Sequence, residues 1–207
     1  MSYNRGRRSN RQSRRRSSTK KYEEEAIVLE VMGPEMNRKR GKYSDQSIMQ
    51  VVGTSWFTLL EVIPEDANVV MLGDTIKLGK DERNKVQTII GRIGYDDLTR
   101  VAELQLDDSI TQIVEEREDK FVNWLNNSTP ISLRMHSLHL IKGIGPKSLK
   151  IILAERKNKP FESYADFEER TGIGNIKGLL KQRIMDELTN EDEKHHLFTR
   201  NYHKDRR

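Results

Sequence analysis

The sequence predicts an α+β chain: a small antiparallel β-barrel, then acidic connecting helices, then four short C-terminal helices. Two periodicities and one charge pattern carry that prediction. Between residues 25 and 93, short runs rich in β-branched side chains alternate with turn residues. From residue 95 onward the apolar spacing changes to threes and fours. The net charge of +5 is unevenly placed: residues 1–21 hold nine Lys/Arg and no acid. That leaves 28 basic against 32 acidic residues in the body of the chain.

Residues 1–21 have no periodic apolar residues, so nothing offsets the entropy of ordering them, and a disordered basic tail is expected. Its cations (Arg5, Arg7, Arg8, Arg11, Arg14, Arg15, Arg16, Lys20 and Lys21) suit an arm that contacts phosphate better than a merely solubilising tail. An Arg/Ser-rich, acid-free start also has the composition of an organellar transit peptide, but it lacks a helical apolar stripe. It also lacks the apolar core of a signal peptide. No run approaches the ~18 apolar residues of a membrane span. There is no cysteine, which excludes disulfides, thiolate zinc sites and cysteine nucleophiles. A soluble cytoplasmic protein with no membrane partner is the expectation.

Residues 22–94 form the expected barrel. Its strands are read at Ala26–Met32, Ser47–Val52, Ser55–Ile63, Val69–Leu72, Thr75–Gly79 and Val86–Ile93, with a tight hairpin at Leu72–Thr75. So many short strands favour closure, which removes exposed edges. The insert Met36–Gln46 carries Arg38, Lys39, Arg40 and Lys42 and reads as a basic loop. Trp56 and Phe57, adjacent on one strand, would point to opposite faces, so one of the two fills the core and the other lies outside, with Trp56 the candidate for stacking on a base.

Residues 95–129 read as amphipathic helices with an acidic outer face, ending at the Asn126–Pro130 boundary. Residues 130–190 then give four short helices: about 131–141, Pro146 to Arg156, Tyr164–Arg170 capped by Ser163, and Ile176 to Thr189. Residues 191–207 read as a charged, fraying tail.

A basic island, Arg134–Pro160, has seven Lys/Arg and one acid, and it lies between acidic stretches. Within it, "LIKGIGPKSLKIIL" interrupts helical sequence. Gly143 and Gly145 permit a sharp turn, Ile144 can plug the space between helices, and Pro146 suits the first helical position. Backbone N–H groups then point outward at a helix N-terminus, with Lys142, Lys147, Ser148 and Lys150 around them, which is an anion site suited to a backbone phosphate. The stretch closely resembles the helix-hairpin-helix motif of sequence-nonspecific nucleic-acid binders. "RTGIGNIKGLLKQRI" offers a second Gly172-Ile173-Gly174 turn with Lys177. There Asn175 replaces proline among Asp166, Glu168 and Glu169, so the second copy is expected to be mainly structural.

From about Tyr22 to Glu193 the chain resembles an uncharacterised archaeal family, domain of unknown function family 655. The residues that carry the resemblance are "LGDTIKLGK", "LIKGIGPKSLKIILAER", "FESYADFEERTGIGN" and "RIMDEL". The resemblance implies an OB-like barrel paired with a C-terminal tandem helix-hairpin-helix unit, nucleic-acid or RNA binding, and no established catalysis.

Enzyme readings rank lower. Asp166 lies 21 residues after Gly145, a spacing found in some DNA glycosylases, but the flanking pattern is absent. Asp107-Asp108 and Glu115-Glu116 read as a solvated helix face. His136 and His139 lack a carboxylate partner, which favours surface or phosphate contact over a metal. No cofactor, metal or catalytic residue is expected. The sequence therefore leads to a non-catalytic nucleic-acid-binding protein, with RNA, ribosomal or transfer RNA in particular, ahead of DNA. Two alternatives stand beside it: a DNA-binding accessory of repair or replication, and an assembly factor that docks proteins, such as a ribosome-associated partner.

Overall fold

The computed structural model describes residues 22–37, 43, 45–79 and 83–200. The basic tail, the loop cations Arg38, Lys39, Arg40 and Lys42, and the last seven residues lie outside them. Five strands build one antiparallel sheet: β1 (Glu25–Met32), β2 (Ile48–Gly53), β3 (Leu59–Pro64), β4 (Thr75–Lys77) and β5 (Val86–Arg92), in the order β4-β1-β2-β3-β5. The long strands read as nearly continuous apolar runs because the sheet is covered on both faces. In β1, Ala26 and Val28 join Met49, Val51, Leu60 and Val62 inside the curl. Ile27 and Leu29 face the other way, into a core shared with the helices. A register shift between Val28 and Glu30 bends the strand.

The sheet curls into a half-barrel and does not close. β4 and β5 form no ladder among the described residues; Asn84 links them, its Oδ1 accepting from the Lys77 N–H at 2.7 Å. Two expected strands are also corrected. Asp66 accepts a hydrogen bond from the Asn68 N–H at 2.9 Å and starts a short 3-10 turn, so Val69–Leu72 is a loop with Val69, Met71 and Leu72 exposed. Gly73, at φ +82°, therefore turns from a loop into β4, and the Leu72–Thr75 hairpin does not form. Likewise Ser55–Phe57 is a turn, with Phe57 at φ +51°. The Glu23 carboxylate holds it, accepting from the N–H groups of Ser55, Trp56 and Thr58 at 2.9–3.0 Å. Trp56 is thus half-buried on a turn, while Phe57 is in the core.

A one-turn helix, α1 (Pro34–Asn37), follows β1. The connecting helices are α2 (Arg100–Glu116), capped by the Thr99 hydroxyl, and α3 (Glu118–Asn127). Their apolar residues, Leu106, Ile110, Ile113, Phe121 and Leu125 among them, lie against the outer face of the sheet and the later helices. The expected helix over 131–141 is replaced by a small hairpin, β6 (Pro130–Ser132) with β7 (Met135–His136), and a 3-10 turn, Ser137–Leu140. The Ser137 N–H donates to Thr129 O at 3.1 Å, a pairing across the hairpin that a helix could not make.

The remaining helices are α4 (Pro146–Asn158), α5 (Tyr164–Thr171) and α6 (Ile176–Thr189). Residues 190–200 do not fray. Glu187, buried in α6, accepts from the N–H groups of Leu197, Phe198 and Thr199 and from the Thr199 hydroxyl, and pairs with buried Arg183 at 2.8 Å. That carboxylate pins Phe198 edge-on against Phe121 and Trp124. One core therefore runs without a break from β1 through α2 and α3 to α6 and Phe198. No helix among the described residues is long and apolar enough to cross a membrane.

Candidate nucleic-acid interface

The first Gly-Ile-Gly turn joins the 3-10 segment to α4. Ile144 N–H donates to Ile141 O at 3.1 Å, and both isoleucine side chains are buried. Gly143 sits at φ +91°, and a Cβ there would reach only Leu179 at ordinary contact distance, so the backbone angle rather than crowding requires glycine. Gly145 does not share that conformation. It is extended, at φ −85°, and caps α4. Around it is open space, with nothing within 4 Å of where a Cβ would stand.

No side chain caps α4, and Pro146 occupies its first position. The N–H groups of Lys147 and Ser148 thus have no side-chain acceptor there, at the end of the helix where partial positive charge collects. Lys147 and Lys150 are exposed and form no ion pair among the described residues. Lys142 is exposed but engaged: its Nζ pairs with Asp186 at 2.8 Å. Burial pushes the Asp186 carboxyl up, and hydrogen bonds from Lys142 and Gln182 outweigh it, holding the group below its usual range.

The second turn has the same sequence logic and different wiring. Gly172 ends α5 in the left-handed region at φ +69°, and Asn175 caps α6 at φ +56°. Its Oδ1 accepts from the Gly178 N–H at 3.2 Å, and the Glu168 carboxylate accepts from the Ile176 N–H at 2.7 Å. Lys177 reaches across to Glu115 at 2.8 Å, and that hydrogen bond, with the charges around it, raises the Lys177 pKa. Here the chain supplies its own anions.

The other candidates separate. Trp56 lies on the Glu23-held turn of the half-barrel. His136 is buried, its Nδ1 accepting from the Leu138 N–H at 3.2 Å; burial, then the charges of Arg156 and His139, lowers its pKa, which corrects the expected surface role. Asp166 and Ser163 form a cap at α5: Ser163 Oγ accepts from the Asp166 N–H at 3.0 Å, and Asp166 pairs with Arg170 at 3.1 Å. Asp107 and Glu115 bind Lys181 and Lys177 and do not converge. Among the described residues no group of three or more acids and histidines could hold a metal ion.

Two features have no counterpart in the sequence expectations. The mouth left open between β4 and β5 is lined by Arg83, Arg92 and Arg200, with Tyr22 at its edge. On another side, Trp124 and Lys120 of α3 share a groove with Trp56. Both assemble from distant segments, and sequence shows only the composition of each segment.

A family profile described as "Protein of unknown function (DUF655)" matches residues 22–200. An uncharacterized protein of Methanocaldococcus jannaschii is 35% identical over 157 residues, covering 75% of this chain and 72% of that protein. The crystal structure of a protein from Archaeoglobus fulgidus assigned to the same family superposes with a TM-score of 0.75 at 37% identity, covering 86% of this chain and all of the other.

Proposed function

The chain belongs to the DUF655 family of proteins of unknown function, and on that premise we propose that it is a non-catalytic nucleic-acid-binding protein. The turn Lys142–Lys150 grips a backbone phosphate in the manner of a helix-hairpin-helix, and the OB-like half-barrel side engages unpaired or irregular strand. One observation carries this reading: of two turns with the same Gly-Ile-Gly core, the first leaves its helix N-terminus without a side-chain cap and its lysines Lys147 and Lys150 outside any ion pair among the described residues. Charge of that kind reads phosphate and not base sequence. RNA, ribosomal or transfer RNA in particular, ranks ahead of DNA because a small barrel beside half-buried aromatic side chains suits unpaired bases. The tail of nine cations adds nonspecific affinity.

The test is binding of residues 22–207, without the tail, to single-stranded RNA, structured RNA, duplex DNA and single-stranded DNA across a salt series. Binding that weakens in Lys147→Glu supports the phosphate grip, and the ranking of ligands selects among targets. A body that binds none of them overturns the reading, and a partner recovered after nuclease treatment would then support protein docking.

A further inference from the structure

The chain has two tryptophans, and both line one groove, Trp56 from the turn of the half-barrel and Trp124 from α3. The groove measures about 440 Å³ and runs between the sheet, α3, the β6–β7 hairpin and the C-terminal segment. Phe198 lies at its floor, with the Trp124 ring edge-on to it at 4.8 Å. Lys120 stands at the wall, its Nζ 5.7 Å from the Trp56 ring centroid and hydrogen-bonded to Ser55 O. Asn123, exposed at the rim, offers amide chemistry, and Ser137 also lines the groove. Ser137 is more than nine-tenths buried, and its Oγ has no partner within the described structure.

We propose that this groove is a nucleobase site, in which an unpaired base of a bound strand stacks against an indole while its polar edge meets the exposed Asn123 amide. Several observations favour a base over another occupant. The volume suits a small planar ligand. The aromatic walls supply sequence-tolerant stacking, and Lys120 provides a cation for the attached phosphate. Ser137 also opens the segment that leads into Lys142. They are five positions apart, so their Cα atoms are at most about 18 Å from each other. One short strand can occupy both the groove and the phosphate turn. The assignment rests on the proposed nucleic-acid function and deepens it by giving the strand a base-binding point away from the turn.

Intrinsic tryptophan emission tests it, because these two side chains are the only indoles. The full-length chain is titrated at about 0.2 M salt, where nonspecific phosphate contacts are weak, with fluorescently labelled oligouridylate of about eight nucleotides and with an abasic ribose-phosphate oligomer of equal length. Trp56→Phe and Trp124→Phe each leave a single reporter, and Asn123→Glu places a charge at the exposed rim. The expected result is quenching of both reporters by oligouridylate and none by the abasic oligomer. Oligouridylate should also bind about tenfold more tightly than the abasic oligomer, and Asn123→Glu should remove most of that difference. Oligouridylate that binds by anisotropy with both tryptophans silent, or equal quenching by the abasic oligomer, overturns the groove assignment and leaves the phosphate turn standing. Quenching that survives in a chain whose affinity ignores Lys147→Glu does the reverse. No binding by anisotropy overturns both.

Discussion

The two Gly-Ile-Gly turns are the same short answer to one packing problem and opposite answers to an electrostatic one. Each seats an isoleucine between helices, Ile144 fully and Ile173 partly buried. In the second, Glu168 and Asn175 occupy backbone N–H groups of α6 and Glu115 takes Lys177. In the first, only Lys142 has found an acid, and the start of α4 has no side-chain cap. A repeated motif therefore says where a chain turns, and the neighbouring acceptors decide whether the turn has any capacity left for a ligand.

The largest expected effect breaks the packing likeness. Ile144→Ala should cost about 2–5 kcal/mol of stability, and Ile173→Ala clearly less because its site is only partly buried; urea midpoints check this. Next comes charge. Lys147→Glu should weaken nucleic-acid binding about tenfold and flatten the salt slope by about one, whereas Lys177→Glu should leave affinity within about twofold. Equal losses at both positions would erase the distinction between the turns.

The glycines of the first turn divide in the same way. Gly143→Ala should destabilise by about 1 kcal/mol, since alanine must adopt φ +91°. Gly145→Ala should leave the melting temperature nearly unchanged, because its Cβ meets only open space, yet it should lower affinity about threefold by standing where a phosphate approaches. A thermal melt beside a binding titration separates the two. The smallest effect sharpens the comparison from the other side: Glu168→Gln removes the anion at the start of α6 and should raise affinity by about twofold at low salt.

The first turn is legible in the sequence because its signals are local. Gly143, Pro146 and the lysines act within one hairpin, and α4, α5 and α6 begin at the residues their caps name. The segment before it is not. Leu138 and Ile141 keep helical spacing, but the Ser137–Thr129 backbone pair and the β6–β7 hairpin override it. Val69–Leu72 has strand composition and no strand partner, since Asp66 turns the chain first. Trp56 is conspicuous for its chemistry, but its position on a turn is hidden, because Glu23 folds that turn from 33 residues away in sequence. Trp124, Lys120 and Ser137 carry no local signal at all; only tertiary folding brings them beside Trp56.

The clamp at Glu187 has a kinetic consequence. Phe198 completes an aromatic cluster with Phe121 and Trp124, and the Arg200 N–H reaches Trp56 O on the turn that follows β2. The turn after β2 is thus closed by a segment more than a hundred positions further along the chain, a high-contact-order closure. A chain in which residues 190–200 are not yet docked would expose that cluster. Docking of that segment, not formation of the half-barrel, is then the step that commits the molecule to its native state.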